Sequence, residues 1–301
     1  MKGKFGPFEG ILEETTCPVC RETNEVSKVP EAKLIFRSHG GIGYYRCSQC
    51  NLMYASPRFT EESMLKIYER EEFADLSEFN NWSYEKWKES RNRSYNVQKL
   101  KIMLVERYLS QGDRILDVGC GTGLFILEAN KKGFLCEGVE PSLMLSNICK
   151  NVLKVPVNHT LLENFVPPYK FNGIIIWDVL EHVYNPVRII KKSFELSEWG
   201  GFLFLQVPNY RGISNQYKNL LCRLGIRDNE YRHFGFPWHV YSFDKRSLSF
   251  LLGKTGFKVI LFESWSHWLK DGWRNPLLKK LSIYLRKWCL SDYIVCVAKK
   301  V

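Results

Sequence analysis

An α/β fold with a small metal-binding module ahead of it is the architecture this 301-residue chain predicts. Three observations carry that expectation. From Arg114 onward, apolar runs of strand length alternate with amphipathic runs of helix length, the order of a parallel sheet joined by right-handed crossovers. The first of those strands ends in "ILDVGCGTGLF" (Ile115–Phe125), with glycines at every second position. Upstream stand two Cys-x-x-Cys pairs, "CPVC" at 17–20 and "CSQC" at 47–50.

Composition bounds what such a chain can do. At 45% hydrophobic and 25% charged, with nine Trp and nineteen Phe, it can bury a sizeable core, so general disorder is excluded. The start "MKGKFGPFEG" lacks the apolar segment of a secretory signal, and "GIIIW" and "YIVCVA" are too short to span a bilayer. A soluble, cytoplasmic protein is the expectation. The formal charge of +11 suits a solvated basic surface, a phosphate-bearing substrate, nucleic acid or an anionic membrane, and alone selects none of them.

Four of the ten cysteines form the paired motif. Two thiols separated by two residues reach one ion, and a second pair completes a tetrahedron, so Cys17, Cys20, Cys47 and Cys50 are read as ligands of a structural Zn²⁺. The intervening "KLIFRSHGGIGYYRC" supplies two strand-like runs around a Gly-rich turn, and His39 is read as a turn residue. The other six cysteines (Cys120, Cys136, Cys149, Cys222, Cys289 and Cys296) lack metal spacing and are expected to act as small hydrophobes.

The zinc-binding module is placed at 1–58 and a helical linker at 59–94, where Thr60 caps a helix with Glu61 and Glu62 in its first turn. The catalytic unit follows over 95–301. It opens on the helical "YNVQKLKIMLVERYLSQG" and then reads "RILDVG", strand; "GLFILEANKKG", helix; "LCEGVE", strand; "SLMLSNICKNVL", helix. "FNGIIIWDVL" has the unbroken apolar character of a central strand buried on both faces. The helix "NPVRIIKKSFELSEWGG", with Pro186 in its first turn, and the strand "FLFLQVPN" come next. The rhythm then breaks over 208–243, a lid-like insertion rich in aromatics. A helix, a strand, an amphipathic helix (275–289) expected to pack its apolar face on the sheet, and the final strand "DYIVCVAKK" complete the chain.

A strand ending in Gly119, Gly121 and Gly123 brings bare backbone close to a ligand at the carboxyl edge of the sheet. The spacing is not G-x-G-x-x-G, since position 124 is Leu, and no Lys-Ser or Lys-Thr follows, so a dinucleotide fingerprint and a P-loop are both excluded. The run Asp117-x-Gly119-x-Gly121-x-Gly123 after a strand resembles the first motif of the class I S-adenosylmethionine-dependent methyltransferases. That resemblance, covering about residues 95–300, implies a seven-stranded Rossmann-like sheet, mostly parallel with an antiparallel last strand. It implies that Asp117 and the three glycines hold the amino-acid end of S-adenosylmethionine, and that Glu140, ending the next strand, accepts from the ribose hydroxyls. It also sets the adenine against Leu161, Leu162 and Glu163 of "TLLENF", and puts Asp178 of "WDVLEHV" beside the methyl group.

The acceptor is less legible. A hydroxyl or carbon acid must lose a proton before it attacks, so a base is sought. In "HFGFPWHVYSF" the residues His233, Trp238, His239 and Tyr241 crowd together, and His titrates near neutrality. The segment is similar to an H-x-Y-x-F run of many small-molecule methyltransferases. His239 is therefore read as the proton acceptor ahead of His182, with Tyr241 orienting it or the substrate; Glu181 and His182 face the substrate or cap the following helix. A paired-CxxC module before such a core resembles bacterial methyltransferases of sugar, polysaccharide and secondary-metabolite pathways. That implies a small acceptor: a sugar, or a nucleotide-linked or lipid-linked intermediate, methylated on oxygen or carbon. The alternative is an RNA-modifying methyltransferase or a basic zinc-ribbon nucleic-acid-binding protein.

Overall fold

The computed structural model of the chain describes residues 2–5, 8–23, 30–37, 41–68, 91–224, 226, 237–266 and 283–301. In the N-terminal part, β1 (Lys2–Phe5) and β2 (Phe8–Glu13) form an antiparallel hairpin, and β2 also pairs with β6 (Arg58–Phe59). Helix α1 (Pro18–Thr23) begins inside the first Cys-x-x-Cys pair. Strands β3 (Ala32–Arg37), β4 (Gly43–Cys47) and β5 (Met53–Ser56) run antiparallel beside it. Helix α2 (Glu61–Tyr68) starts after Thr60, whose hydroxyl accepts from the Ser63 amide at 3.3 Å as an N-cap. Helix α3 (Arg91–Val105) leads into the main sheet.

That sheet alternates as the sequence predicts. Its elements are β7 (Arg114–Val118), α4 (Leu124–Lys131), β8 (Leu135–Val139), α5 (Leu143–Asn147) continuing as a wider π turn over Ile148–Leu153, β9 (Val157–Asn158) and β10 (Phe171–Trp177). Then come α6 (Pro186–Leu196), β11 (Ser197–Pro208), α7 (Ile213–Arg223), β12 (Tyr241–Ser242), α8 (Lys245–Lys254), β13 (Phe257–Trp265) and β14 (Tyr293–Lys300). Seven strands pair in the order β13-β14-β11-β10-β7-β8-β9. β14 is antiparallel to both neighbours, and the joints between β9 and β11 are parallel.

Two consequences position the site. The chain leaves β7 towards β8 on one side and returns to β10 on the other, so the carboxyl ends of β7 and β10 flank the crevice where open α/β sheets bind ligands. Ile174, Ile175 and Ile176 of β10 are fully buried, which fixes that edge rigidly. The N-terminal module is also welded to the sheet. β12, from the far side of the lid region, adds to β5 as the edge of a four-stranded sheet, with Tyr241 opposite Tyr54. One apolar cluster runs from Val19, Leu52 and Tyr54 through Val240 and Phe243 to Val187, Ile190 and Leu116.

Within 208–243 the described residues form α7 and β12, while residues 227–236, His233 among them, lie outside the described residues, as do 69–90. The 275–289 helix is described only from residue 283. There Leu285 is buried, but Tyr284 and Trp288 are 54% and 59% exposed, so this stretch does not lay its whole apolar face on the sheet.

Candidate active site

The glycine loop has the backbone that only glycine adopts at ease: φ is +63° at Gly119, +56° at Gly121 and +79° at Gly123. The three are not equivalent. A Cβ on Gly119 would stand 2.7 Å from Val179 Cγ2, and one on Gly123 2.7 Å from Val155 Cγ2, so these two let the loop pack on its own protein. A Cβ on Gly121 would meet nothing within 4 Å, which makes it the residue facing open space at the strand ends. Glu140, ending β8, accepts from the Gly121 amide and from the Ser142 amide, each at 2.9 Å. The acid thus braces the loop from below, and its carboxylate is buried.

Around the loop stand more carboxyls than one buried cation can balance. Asp117 is buried on β7, with its register partners Ile175 and Gly138 on either side. Burial pushes its carboxyl up to about 7, with Lys101 pulling it down and Glu140 adding to the rise. Lys101, reaching in from α3, is buried 5.3 Å from the centre of the Trp177 ring and 3.9 Å from Asp178 Oδ2. Burial lowers its ammonium pKa, against the opposing pull of Asp178, Asp117 and Glu181. Asp178 has φ +57° and accepts from Gln206 Nε2 at 2.6 Å, while Gln206 Oε1 accepts from the Trp265 indole. A crevice with Asp117, Asp178 and Glu181 around the ammonium of Lys101, and Glu140 beside Asp117, favours a ligand that is itself cationic.

Beyond Asp178, "LEHV" turns under the segment that precedes β12. The Val240 and Tyr241 amides donate to the Glu181 carbonyl at 2.9 and 3.3 Å, and His182 Nδ1 meets the Trp238 carbonyl at 3.0 Å. The rings of His182 and His239 stand edge to face with centroids 4.7 Å apart. Burial, and then the neighbouring His239, lower His182 to about 3, so its imidazole is neutral at pH 7. Glu181 is pushed well above the usual carboxylate range by burial first and by Asp178 second.

In the N-terminal module the four sulfurs lie within 4.8 Å of one another, with Cys17–Cys50 at 3.4 Å and Cys20–Cys47 at 3.6 Å. Four thiolates at about 2.3 Å around a tetrahedral ion are about 3.8 Å apart, so the donor set fits a soft tetrahedral cation such as zinc. All four are buried and none is in a disulfide. Crowding by Cys47 and Cys50, with burial, pushes the Cys17 thiol far up, a cost that a central cation removes.

With this geometry in view, comparisons with known proteins converge. Residues 88–261, more than half of the chain, match the family model described as a methyltransferase domain. The chain belongs to the S-adenosylmethionine-dependent methyltransferase-domain family. Among curated relatives, the ubiquinone biosynthesis O-methyltransferase of Coxiella burnetii is 26% identical over 144 residues, covering 45% of this chain and 62% of that protein. The one from Dechloromonas aromatica is 27% identical over 146 residues. The chain thus spans about three-fifths of these relatives' length. In fold it is similar to magnesium protoporphyrin IX methyltransferase from Synechocystis PCC 6803, with TM-score 0.51, 15% identity and cover of 78% of this chain and 99% of that one. It is likewise similar to a SAM-dependent methyltransferase from Archaeoglobus fulgidus, with TM-score 0.50, 17% identity and cover of 72% and 99%.

For this methyltransferase-domain chain, several expected residues converge on the crevice between β7 and β10: Asp117, the three glycines, Glu140 and Asp178, with His182 and His239 at its edge. Two do not behave as expected. The Tyr241 hydroxyl neither orients His239 nor faces the crevice: it accepts from Arg58 Nη1 and donates to the Tyr184 carbonyl at 2.9 Å, deep in the joint between module and sheet. Burial raises it to about 12. Leu162 turns its side chain into the core on a 3₁₀ turn, leaving only its neighbours Leu161 and Glu163 outward. Lys101, Gln206 and Arg58 escaped the sequence reading. Lys101 carries a faint signal, an ammonium on the apolar stretch "LKIML"; the other two carry none.

Proposed function

We propose that this chain transfers the methyl group of S-adenosylmethionine to a small acceptor: a sugar, or a nucleotide-linked or lipid-linked intermediate, on oxygen in preference to carbon. The observation that carries the reading is the loop at Gly121, open to space and underpinned by Glu140 beside a buried, acid-rich crevice. S-adenosylmethionine supplies an electrophilic methyl on a cationic sulfur, together with a cationic amine. Asp117, Asp178 and Glu181 favour those charges, Gly119, Gly121 and Gly123 leave room for the amino-acid end, and Glu140 can turn a carboxylate oxygen to the ribose. Leu161 and Glu163 flank the adenine.

Transfer is an in-line displacement, so most of what the residues do is alignment. The acceptor oxygen forms its bond to the methyl carbon as the carbon–sulfur bond breaks, and sulfur keeps the electron pair. The acceptor's proton leaves at the edge occupied by His182 and His239, His239 being the proposed acceptor. The names of the curated relatives support oxygen as the methylated atom. Cys17, Cys20, Cys47 and Cys50 are proposed to hold Zn²⁺ as a folding element of a module over 1–58, ahead of a 59–94 linker and a catalytic unit over 95–301 with its lid at 208–243. No described helix is long and apolar enough to cross a membrane.

The test is transfer of isotope-labelled methyl from S-adenosylmethionine to a panel of nucleotide sugars, polyprenyl-linked sugars, phenols and RNA. Label in a small hydroxylated acceptor supports the reading; label in RNA alone replaces it with the nucleic-acid alternative.

A further inference from the structure

Glu181 poses a problem the reading above leaves unsolved. Its side chain is 1% exposed, and neither carboxylate oxygen has a hydrogen-bond partner among the described residues. Buried carboxylates are nearly always paired with donors or coordinated to a metal. His182 Nε2 is 4.0 Å from Glu181 Oε1, too long for a hydrogen bond. His182 Nδ1 is already engaged with the Trp238 carbonyl at 3.0 Å, an arrangement that makes Nδ1 the donor and leaves the Nε2 lone pair pointing to the carboxylate side.

His239 completes the group. Its ring stands edge to face with His182, and one ligand atom from each of Glu181, His182 and His239 lies within 4.8 Å of the others. Three ligand atoms about 2.1 Å from one ion stand about 3.0–3.6 Å from one another, so inward side-chain shifts of up to about an ångström close the set. The backbone holds both strands of the site in place, because the Val240 and Tyr241 amides bond the Glu181 carbonyl and Trp238 bonds His182. A backbone carbonyl on the far nitrogen is also the usual support of a metal-ligating histidine.

We infer that Glu181, His182 and His239 bind a divalent cation such as Mn²⁺, Fe²⁺ or Zn²⁺, distinct from the ion of the thiol cluster. One carboxylate and two imidazoles suit such ions and leave coordination positions open. The inference rests on the proposed methyl transfer for its purpose and changes the part given there to His239 from proton acceptor to ligand. An acceptor hydroxyl on an open position loses its proton to water more readily. The oxygen then forms its bond to the methyl carbon as the carbon–sulfur bond breaks.

The test is Mn²⁺ titration of the zinc-loaded full chain, followed by electron paramagnetic resonance; thiolate clusters prefer softer ions. One Mn²⁺ per chain is expected, with affinity falling at least tenfold in His182→Ala and in Glu181→Gln. In Mn²⁺-free buffer Glu181→Gln should melt at or above the wild-type temperature, since it removes an unpartnered carboxylate. No stoichiometric uptake, uptake unchanged in both variants, or a lower melting temperature for Glu181→Gln overturns the cation site. Calorimetry with S-adenosylmethionine on the same Mn²⁺-free protein separates the failures. Cofactor binding without Mn²⁺ uptake sinks the cation alone, whereas absent cofactor binding sinks the transfer reading.

Discussion

The chain gathers two dense groups of polar side chains, and they differ in how the sequence encodes them. The four thiols come from two local pairs, and a short hairpin brings those pairs together. The crevice group, Lys101, Asp117, Asp178, Glu181, His182 and His239, comes from α3, two strand ends and the segment before β12, spread over 139 residues of chain. The first group needs only local folding to exist; the second exists only once the sheet has closed. Local encoding suits a staple, whereas charges that repel in the absence of a ligand suit a binding site.

The largest expected effect breaks the staple. Cys17→Ser should abolish the proposed zinc binding and lower stability by about 4 kcal/mol or more, since loss of a metal is among the few mechanisms of that size. Metal analysis and thermal melting check it together. Because Val19, Leu52 and Tyr54 share a core with Val187 and Phe243, melting should stay a single transition. A separate early transition would mean that module and sheet are independent.

Next is the loop. Gly119→Ala puts a Cβ 2.7 Å from Val179 Cγ2 at a φ of +63°, a combined strain of about 2–5 kcal/mol. Gly121→Ala carries only the conformational part, about 1–2 kcal/mol. Denaturant titration of the two variants should show that order.

A smaller, pH-dependent effect belongs to the crevice alone. The Asp117 carboxyl is held at about 7 in the folded chain against an ordinary value of 3.8. Between those values the folded state keeps a proton that the unfolded state has lost, so the ligand-free protein should lose stability as pH rises from about 4 to about 7. The slope approaches about 1.4 kcal/mol per pH unit for one proton, and Asp117→Asn should flatten it. Denaturant midpoints across that range check the sign.

The smallest effect sharpens the boundary between the regions. Tyr241→Phe removes one acceptor from Arg58, which keeps Glu13 at 2.9 Å and the Tyr184 ring at 4.3 Å. The cost should be about 1 kcal/mol with methyl transfer unchanged. A selective loss of turnover would return Tyr241 to the catalytic group.

These differences explain what could be read in advance. The parallel core of the sheet follows from the alternation after Arg114, and the thiol set from its spacing, since both signals are local. The meeting of Asp117, Gly119, Gly121, Gly123 and Glu140 was legible because they close two successive strands that pair side by side. Tyr241 was misread because its partner, Arg58, arrives from a module 183 residues upstream. Leu162 was misread because a 3₁₀ turn rotated its side chain to the core. Lys101 escaped because a lysine on a helix ordinarily meets water, and only the packing of α3 on the sheet turns it inward.

The most direct test of the central claim is calorimetric titration with S-adenosylmethionine of the zinc-loaded wild type and of Gly121→Arg, whose side chain enters the open space at the strand ends. The expected result is a Kd on the order of micromolar for the wild type and no detectable binding to a folded Gly121→Arg. Absence of binding to the folded wild type, or equal affinity in both proteins, would contradict the assignment of the Gly119–Gly123 loop as the cofactor site.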